Sequence, residues 1–185
     1  PVWPSGVSLP QGDFQIPDGI DWDLWLGTAP KRPYHPAYHP AIWRGWTDFG
    51  TGSLGDMGCH FIDVPYRALN LGYPVSVECS VTGVYTGFFQ ESFYEGSFPP
   101  SSKIHIQFPQ RGAMPPVELI WYDGGIKPKR PVELLPDEAM AEWDGGIIFE
   151  GTKGKIMAGL FGSNPTLLPT KLMKETNMPK SKYPF

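Results

Sequence analysis

Residues 53–85 read SLGDMGCHFIDVPYRALNLGYPVSVECSVTGVY, and they combine a helical pattern with a strand pattern. Its first part predicts a helix over 53–71, because the apolar residues recur every three or four positions and share one stripe: Leu54, Met57, Phe61, Ile62 and Leu69. From Val75 to Tyr85 the period changes to two, which is typical of a half-buried strand. A helix is therefore followed directly by a strand.

The ends of this helix carry recognisable signals. Ser53 followed three residues later by Asp56 is a capping-box pattern, which predicts the start of the helix. Gly72 followed by Pro74 predicts its end. Pro65 lies inside the helix, and we expect it to kink or divide the helix because proline removes one backbone hydrogen bond.

Further strands follow towards the end of the chain. Alternating residues predict strands over 103–108 and 117–122, and a hairpin of 146–150 with 155–159 around a four-residue loop. No helical pattern recurs between the strands, so parallel β-α-β winding is not expected. One helix before a run of strands indicates an α+β fold with an open, mostly antiparallel or mixed sheet.

The chain is interpreted as one domain, 1–185, in four segments. The first is an aromatic, proline-rich loop segment (1–50), which contains one helical turn at 21–26 that Gly27 ends. The helix that carries the candidate site (51–72) and the β-sheet (73–163) follow, and the last segment is a polar tail that does not end in a recognisable element (164–185). A long ordered loop is usually functional. Because this one carries many tryptophans, we expect it to lie against the rest of the protein.

Composition excludes several classes of protein. The 185 residues include 22 glycines and 22 prolines, but aromatic residues reach 14% and charged residues only 18%, a balance opposite to that of disordered chains. The net charge is −4 without a basic block, which argues against a nucleic-acid partner. No apolar run is long enough to span a membrane, so no membrane partner is expected. Cys59 and Cys79 fit no zinc pattern and are expected to be buried free thiols.

The strongest candidate for chemistry is the pair Asp56 and His60. On a helix, residues four apart share a face, so the carboxylate and the imidazole lie one above the other. Nearby glycines at 50, 52, 55 and 58 would let a ligand or another backbone approach closely. His60 could serve as a general acid or base. The alternatives are that Asp56 only caps the helix and that His60 is a buried, hydrogen-bonded histidine.

A second candidate is the aromatic segment that holds Tyr34, His35, Tyr38, His39, Trp43, Arg44 and Trp46. Two histidines four apart suggest a metal, but Pro36 and Pro40 block the helix that would align them, so no metal site is expected. Aromatic faces interleaved with Arg and His suit a sugar or nucleotide. The alternative is that the rings only attach the loop to the core.

Several segments of the chain share their pattern with one known family: the two candidate segments above, Trp22–Gly27, Arg32–His35, Gly50–Asp63 and Trp121–Gly125. Together they resemble the second domain of the glucose-fructose oxidoreductase/inositol dehydrogenase (Gfo/Idh/MocA) family, in its bacterial branch. The resemblance implies an α+β domain whose open sheet has helices on one face. It also implies a homo-oligomer formed through the other sheet face.

The resemblance assigns roles to individual residues. It implies that Asp56 and His60 are the catalytic pair, with His60 moving the proton of a substrate hydroxyl group and Asp56 orienting either the substrate or His60. It places Trp43, Arg44 and Trp46 in the lining of the substrate cleft. Together with the aromatic segment, this predicts a sugar-like substrate bound by Tyr38, His39, Trp43, Arg44 and Trp46.

One departure from the family pattern is large. The Rossmann domain, with its glycine fingerprint and catalytic lysine, is absent from these residues, so we expect a fragment that is inactive alone and lacks cofactor-binding residues. NAD or NADP is expected for the full-length protein. The resemblance leaves open an NAD-dependent glycoside hydrolase, and a carbohydrate-binding or assembly module without chemistry is a further alternative. A cytoplasmic or periplasmic location stays open.

Overall fold

The computed structural model describes residues 3–92, 94–140, 145–177 and 179. The chain divides into two compact units, one of Pro1–Cys59 with Leu69–Lys127 and one of His60–Ala68 with Pro128–Phe185. The prediction of a single domain over 1–185 stays a prediction. No described helix is long and apolar enough to cross a membrane. Helices and antiparallel sheets succeed one another without a repeating β-α-β pattern, which makes the fold α+β.

Helix α1, Trp22–Leu26, confirms the predicted helical turn in the first segment. The Asp21 carboxylate caps its start by accepting a hydrogen bond from the Leu24 N–H (2.9 Å). Gly27 ends it at a positive φ of 56°, a conformation that glycine adopts without steric cost. A 3₁₀ turn at Ile42–Gly45 follows in the same segment.

Helix α2, Gly52–Ala68, is the long helix predicted from the apolar stripe. It runs through Pro65 as one element, so the expected division of the helix is wrong. Ser53 lies inside the helix instead of capping it, because the first helical residue is Gly52 at a φ of +64°. Asp56 does not close a capping box either, since its carboxylate bonds to side chains elsewhere in the chain.

The larger unit contains the three-stranded antiparallel sheet β1-β4-β5. Its strands are β1 (Ser76–Val81), β4 (Ser102–Phe108) and β5 (Val117–Tyr122), and the last two confirm the sequence prediction. Ile104 pairs with Cys79 on one side and with Trp121 on the other. Residues opposite one another share a face, so one face of the sheet is apolar and the other is mostly polar.

Strand β1 differs from its prediction in two ways. It ends at Val81, and the expected continuation to Tyr85 forms a separate hairpin with strands β2 (Val84–Gly87) and β3 (Gln90–Ser92). All six residues of β1 are exposed, so the prediction of a half-buried strand is wrong. The alternation is real, but among the described residues β1 pairs with β4 alone, at the edge of the sheet.

The smaller unit contains a second three-stranded antiparallel sheet. Strands β6 (Ile147–Gly151) and β7 (Gly154–Ala158) form the predicted hairpin, but Gly151 pairs with Gly154, so the loop has two residues rather than four. The expected polar tail contains β8 (Thr166–Leu168), which pairs with β7, and helix α3 (Leu172–Glu175). The prediction that the tail does not end in a recognisable element falls on residues 180–185, which lie outside the described residues.

The aromatic residues of the first segment form a core of their own. Its buried members are Trp22, Leu26, Tyr34, Tyr38 and Trp46. The rings stack or meet edge to face, with centroids 5.2 Å apart for Trp22 and Tyr34 and 5.7 Å apart for Tyr38 and Trp46. Such contacts are stabilising beyond the apolar area that they bury. The aromatic residues of the first segment therefore pack against one another and form a buried cluster.

Candidate functional site

The Asp56 carboxylate is held at both of its oxygens. The Trp3 indole N–H donates to Oδ2 (3.0 Å), and Nε of Arg44 donates to Oδ1 (3.1 Å). All three residues lie in the larger unit, and about a quarter of the Asp56 side chain is exposed. The carboxylate is thus fixed by two partners that come from distant parts of the chain.

The Arg44 guanidinium lies against two tryptophan rings. Its central carbon is 4.4 Å from the centroid of the Trp43 ring and 5.2 Å from that of the Trp3 ring, within the range of cation–π attraction. Nη1 also donates to the carbonyl of Ala41 (3.2 Å). Among the described residues Nη2 has no hydrogen-bond partner, and a third of the side chain is exposed. A fixed guanidinium with unused N–H groups beside an aromatic face suits hydroxyl groups of a ligand.

The glycines around α2 serve the packing of the chain itself. A Cβ atom on Gly50 would lie 2.4 Å from the carbonyl oxygen of Arg44, and one on Gly52 would lie 2.7 Å from the Phe98 ring. On Gly55 it would collide with the side chain of Thr51. The sequence left open whether these glycines make room for a ligand or for another part of the chain. At positions 50, 52 and 55 other residues of the chain lie where a side chain would be.

His60 lies on α2, one helical turn after Asp56. The division between the two units falls between these residues, so His60 is described within the smaller unit. Its ring is half-buried and meets the Phe161 ring edge to face, with centroids 5.1 Å apart. Within the described residues the imidazole has no hydrogen-bond partner.

Two of the predicted substrate-binding residues, Tyr38 and Trp46, belong to the aromatic core. Both are only 3% exposed, and the Trp46 indole N–H donates to the carbonyl of Ala37 (2.9 Å). Burial raises the pKa of the Tyr38 phenol above its ordinary value, against the opposing effect of the nearby Arg32 charge. The alternative reading, in which these rings attach the loop to the core, describes their place in the structure.

The two histidines of the aromatic segment lie among the same rings. The N–H of Ala37 donates to Nδ1 of His35 (2.9 Å), and the His39 ring meets Trp25 edge to face. Within the described part of the chain no group of three or more His, Cys, Asp or Glu side chains could hold a metal ion. Both cysteines are free and exposed, which corrects the expectation that they are buried.

Residues 3–84 match the model of the oxidoreductase family of the Gfo/Idh/MocA type, C-terminal alpha/beta domain. This part of the chain is similar to that family. The matched residues include Trp3, Arg44, Asp56 and His60. They cover somewhat less than half of the chain and end at the first residue of β2. No curated protein matches the chain.

Trp3 is a residue of the Asp56 cluster that the sequence did not predict. Its bond to Asp56 spans 53 positions, and no local pattern indicates a contact over that separation. The available signal is general, since a tryptophan N–H usually finds a hydrogen-bond partner when the ring is buried. It predicts that the Trp3 N–H has a hydrogen-bond partner, but it does not predict which residue this is.

Replacing Trp3 by phenylalanine keeps a ring beside Arg44 but removes the N–H bond to Asp56. We expect a loss of about 1–2 kcal/mol in the free energy of unfolding, typical for a hydrogen bond to a partly exposed charged group. Urea denaturation measures this loss. Trp25→Phe is the matched control, since the indole N–H of this half-buried tryptophan has no partner among the described residues. Equal losses in the two variants would show that the Trp3 bond contributes nothing.

Proposed function

We propose that this domain forms the substrate side of an NAD(P)-dependent oxidoreductase that acts on a sugar, a polyol or a sugar derivative. The observation that carries the proposal is the Arg44 cluster, in which the guanidinium lies against Trp43 and keeps an unused Nη2 group. Sugars present flat apolar faces and neighbouring hydroxyl groups, which suit an aromatic ring and a forked donor side by side. Trp43 and Arg44 are therefore the proposed substrate-binding residues.

Asp56 has the role of a positioning residue in this proposal. Its two oxygens already accept hydrogen bonds from Trp3 and Arg44, so it fixes the direction of the guanidinium. The ion pair also offsets the charge of Arg44, which favours a neutral polyhydroxyl ligand over an anion. Tyr38 and Trp46 are left out of the proposed site because they are buried in the aromatic core.

His60 is the proposed acid–base residue. Oxidation of an alcohol requires a group that takes the hydroxyl proton, and the reverse reaction requires its return. Imidazole exchanges protons near neutral pH, and His60 has an unused ring nitrogen within the described residues. It follows Asp56 by one turn of the continuous helix α2. These features support His60 as the residue that moves the proton.

The described part of the chain does not fit a dinucleotide. Dinucleotide sites use a glycine-rich turn between a parallel strand and a helix, whereas α2 follows a 3₁₀ turn and the sheets are antiparallel. A nicotinamide cofactor accepts or supplies the hydride in sugar oxidoreductases of this kind. We propose that another domain binds it, so that these 185 residues are inactive alone.

Calorimetric titration of the 185-residue chain with NAD⁺ and NADH, and with the NADP pair, is expected to show no binding. The reason is that none of the described helices follows a parallel strand through a glycine-rich turn, the element that holds a pyrophosphate. A protein that joins this domain to its dinucleotide-binding domain is the positive control. Tight binding of any of the four dinucleotides to the chain alone would contradict the proposal that another domain binds the cofactor.

The activity itself is tested by offering sugars and polyols to that two-domain protein with NAD⁺ or NADP⁺. The expected result is formation of NADH or NADPH with at least one substrate. Glycosides that are cleaved without net reduction of the dinucleotide would instead indicate the glycoside hydrolase alternative. Binding without turnover of any kind would favour a carbohydrate-binding module.

A further inference from the structure

Phe161 is an exposed aromatic residue in a strained backbone conformation. It lies in the 3₁₀ turn Leu160–Gly162, which connects β7 to β8. Its φ of 59° and ψ of 16° fall in the left-handed region, which a bulky side chain rarely adopts. The side chain is 66% exposed, so burial of the ring does not offset the strain. Strained residues of this kind are found preferentially at binding and catalytic sites.

The loop around Phe161 is closed by its own backbone. The Gly159 N–H donates to the Ser163 carbonyl (2.8 Å) across the whole loop. Within the loop the Gly162 N–H donates to the Gly159 carbonyl (3.0 Å). These bonds hold the loop in one shape, so the Cα–Cβ bond of Phe161 points in a fixed direction. The strained conformation is therefore imposed by the closed loop and not by packing of the ring.

The same loop lies against the helix that carries His60. The rings of Phe161 and His60 meet edge to face, with centroids 5.1 Å apart. A Cβ atom on Gly162 would lie 3.2 Å from a methyl carbon of Val64, which follows His60 by four residues and shares its face of α2. All four residues belong to the smaller unit. Successive residues of the loop thus contact successive turns of the helix.

We propose that Phe161 is a substrate-binding residue, whose ring packs on the apolar C–H surface of the sugar or polyol beside the hydroxyl group whose proton His60 moves. This inference rests on the proposed function. Because the two ring centres are only 5.1 Å apart, a ligand that contacts the exposed part of the Phe161 ring also lies beside the imidazole. Aromatic rings suit the flat apolar surfaces that sugars present.

Strain alone does not distinguish Phe161 from another phenylalanine, Phe89. Phe89 has a φ of 55° and is 86% exposed. It lies in the two-residue loop of the β2–β3 hairpin, between the paired residues Gly87 and Gln90, and such tight turns require positive φ. The turn therefore accounts for Phe89. The contact with the proposed acid–base residue is what distinguishes Phe161, and Phe89 is its matched control.

Steady-state kinetics of the two-domain protein test the proposal. The probe is whichever of D-glucose, D-galactose and myo-inositol gives the fastest formation of NADH or NADPH. Phe161→Gly removes the ring, and we expect KM to rise about tenfold, the usual effect of losing one aromatic contact. The change in kcat should be smaller, because the contact is made equally with bound substrate and with the transition state. Phe161→Tyr keeps the ring and should keep the KM.

Phe89→Gly removes an exposed ring from the same backbone conformation and should leave KM unchanged. An unchanged KM in Phe161→Gly, or an equal rise in both glycine variants, would overturn the proposal. A fall in kcat at constant KM would do so as well, because the ring would then act only through His60. The proposed function would survive each of these results. If the unmodified protein oxidises no sugar or polyol, the proposed function fails and this inference fails with it.

Urea denaturation of the chain separates a binding role from a structural one. Glycine adopts positive φ without strain, so Phe161→Gly is expected to unfold at the same urea concentration as the unmodified chain or at a higher one. Phe161→Ala removes the ring but keeps the strain, so its midpoint should lie below that of Phe161→Gly. A midpoint of Phe161→Gly below that of the unmodified chain would mean that the ring stabilises the fold, and would overturn the proposal.

Discussion

Replacing His60 by alanine is expected to lower kcat of the proposed two-domain oxidoreductase by a factor of roughly 10²–10⁴, the usual loss when general acid–base catalysis is removed. The imidazole is half-buried and meets the Phe161 ring edge to face, and we expect its removal to leave the fold intact. Initial rates of NADH or NADPH formation measure the effect. Circular dichroism and the urea midpoint show whether the fold has changed.

Two further variants separate catalysis from other effects. His105→Gln is the matched control, because His105 lies on β4, bonds to Glu118 (2.8 Å) and has no role in the proposed chemistry, so kcat should be unchanged. Arg44→Met keeps a long side chain but removes the donors, so we expect a higher KM with a smaller change in kcat. Turnover of His60→Ala at the rate of the unmodified protein would rule out the assignment of His60.

Replacing Trp46 by alanine is expected to cost about 3–5 kcal/mol in the free energy of unfolding, as for other buried aromatic residues. The ring is 3% exposed, contacts Tyr38 at 5.7 Å between centroids, and donates its N–H to the Ala37 carbonyl. Truncation leaves a cavity in the aromatic core and an unpaired carbonyl. Urea denaturation followed by circular dichroism measures the loss.

Leu24→Ala is the control for this prediction, since Leu24 lies on α1 in the same segment but is 78% exposed. Its expected loss is within about 0.5 kcal/mol. If Trp46→Ala instead unfolds at the same urea concentration as Leu24→Ala, the ring does not stabilise the core. Trp46 would then return to the candidates for substrate binding that the sequence proposed.

The sequence predicted those elements whose signals are local. Helix α1 carries its own cap in Asp21 and its own stop in Gly27, and β4 and β5 alternate cleanly, so their bounds agree with the structure within one residue. The α+β fold follows from the order of these elements. The Asp56–His60 spacing on one helix is likewise a consequence of local periodicity.

What the sequence could not predict depends on contacts between distant residues. The alternation in β1 does not reveal whether a second strand or a core covers it, so its exposure was missed. Asp56 bonds to Trp3 and Arg44, which lie 53 and 12 positions away in the sequence. The local pattern predicted instead that Asp56 caps its own helix. Strand β8 has only three residues and forms because β7 offers it an edge.

The glycines beside Arg44 limit which residues the main chain around the proposed site can accommodate. A Cβ on Gly45 would lie 2.5 Å from the Pro4 carbonyl oxygen, and one on Gly50 would lie 2.4 Å from that of Arg44. The segments that carry Trp3 and Arg44 are therefore held against backbone that has no room for even a methyl group. Relatives with other ligand preferences would have to change the side chains around the guanidinium, because the course of the main chain beneath it is fixed.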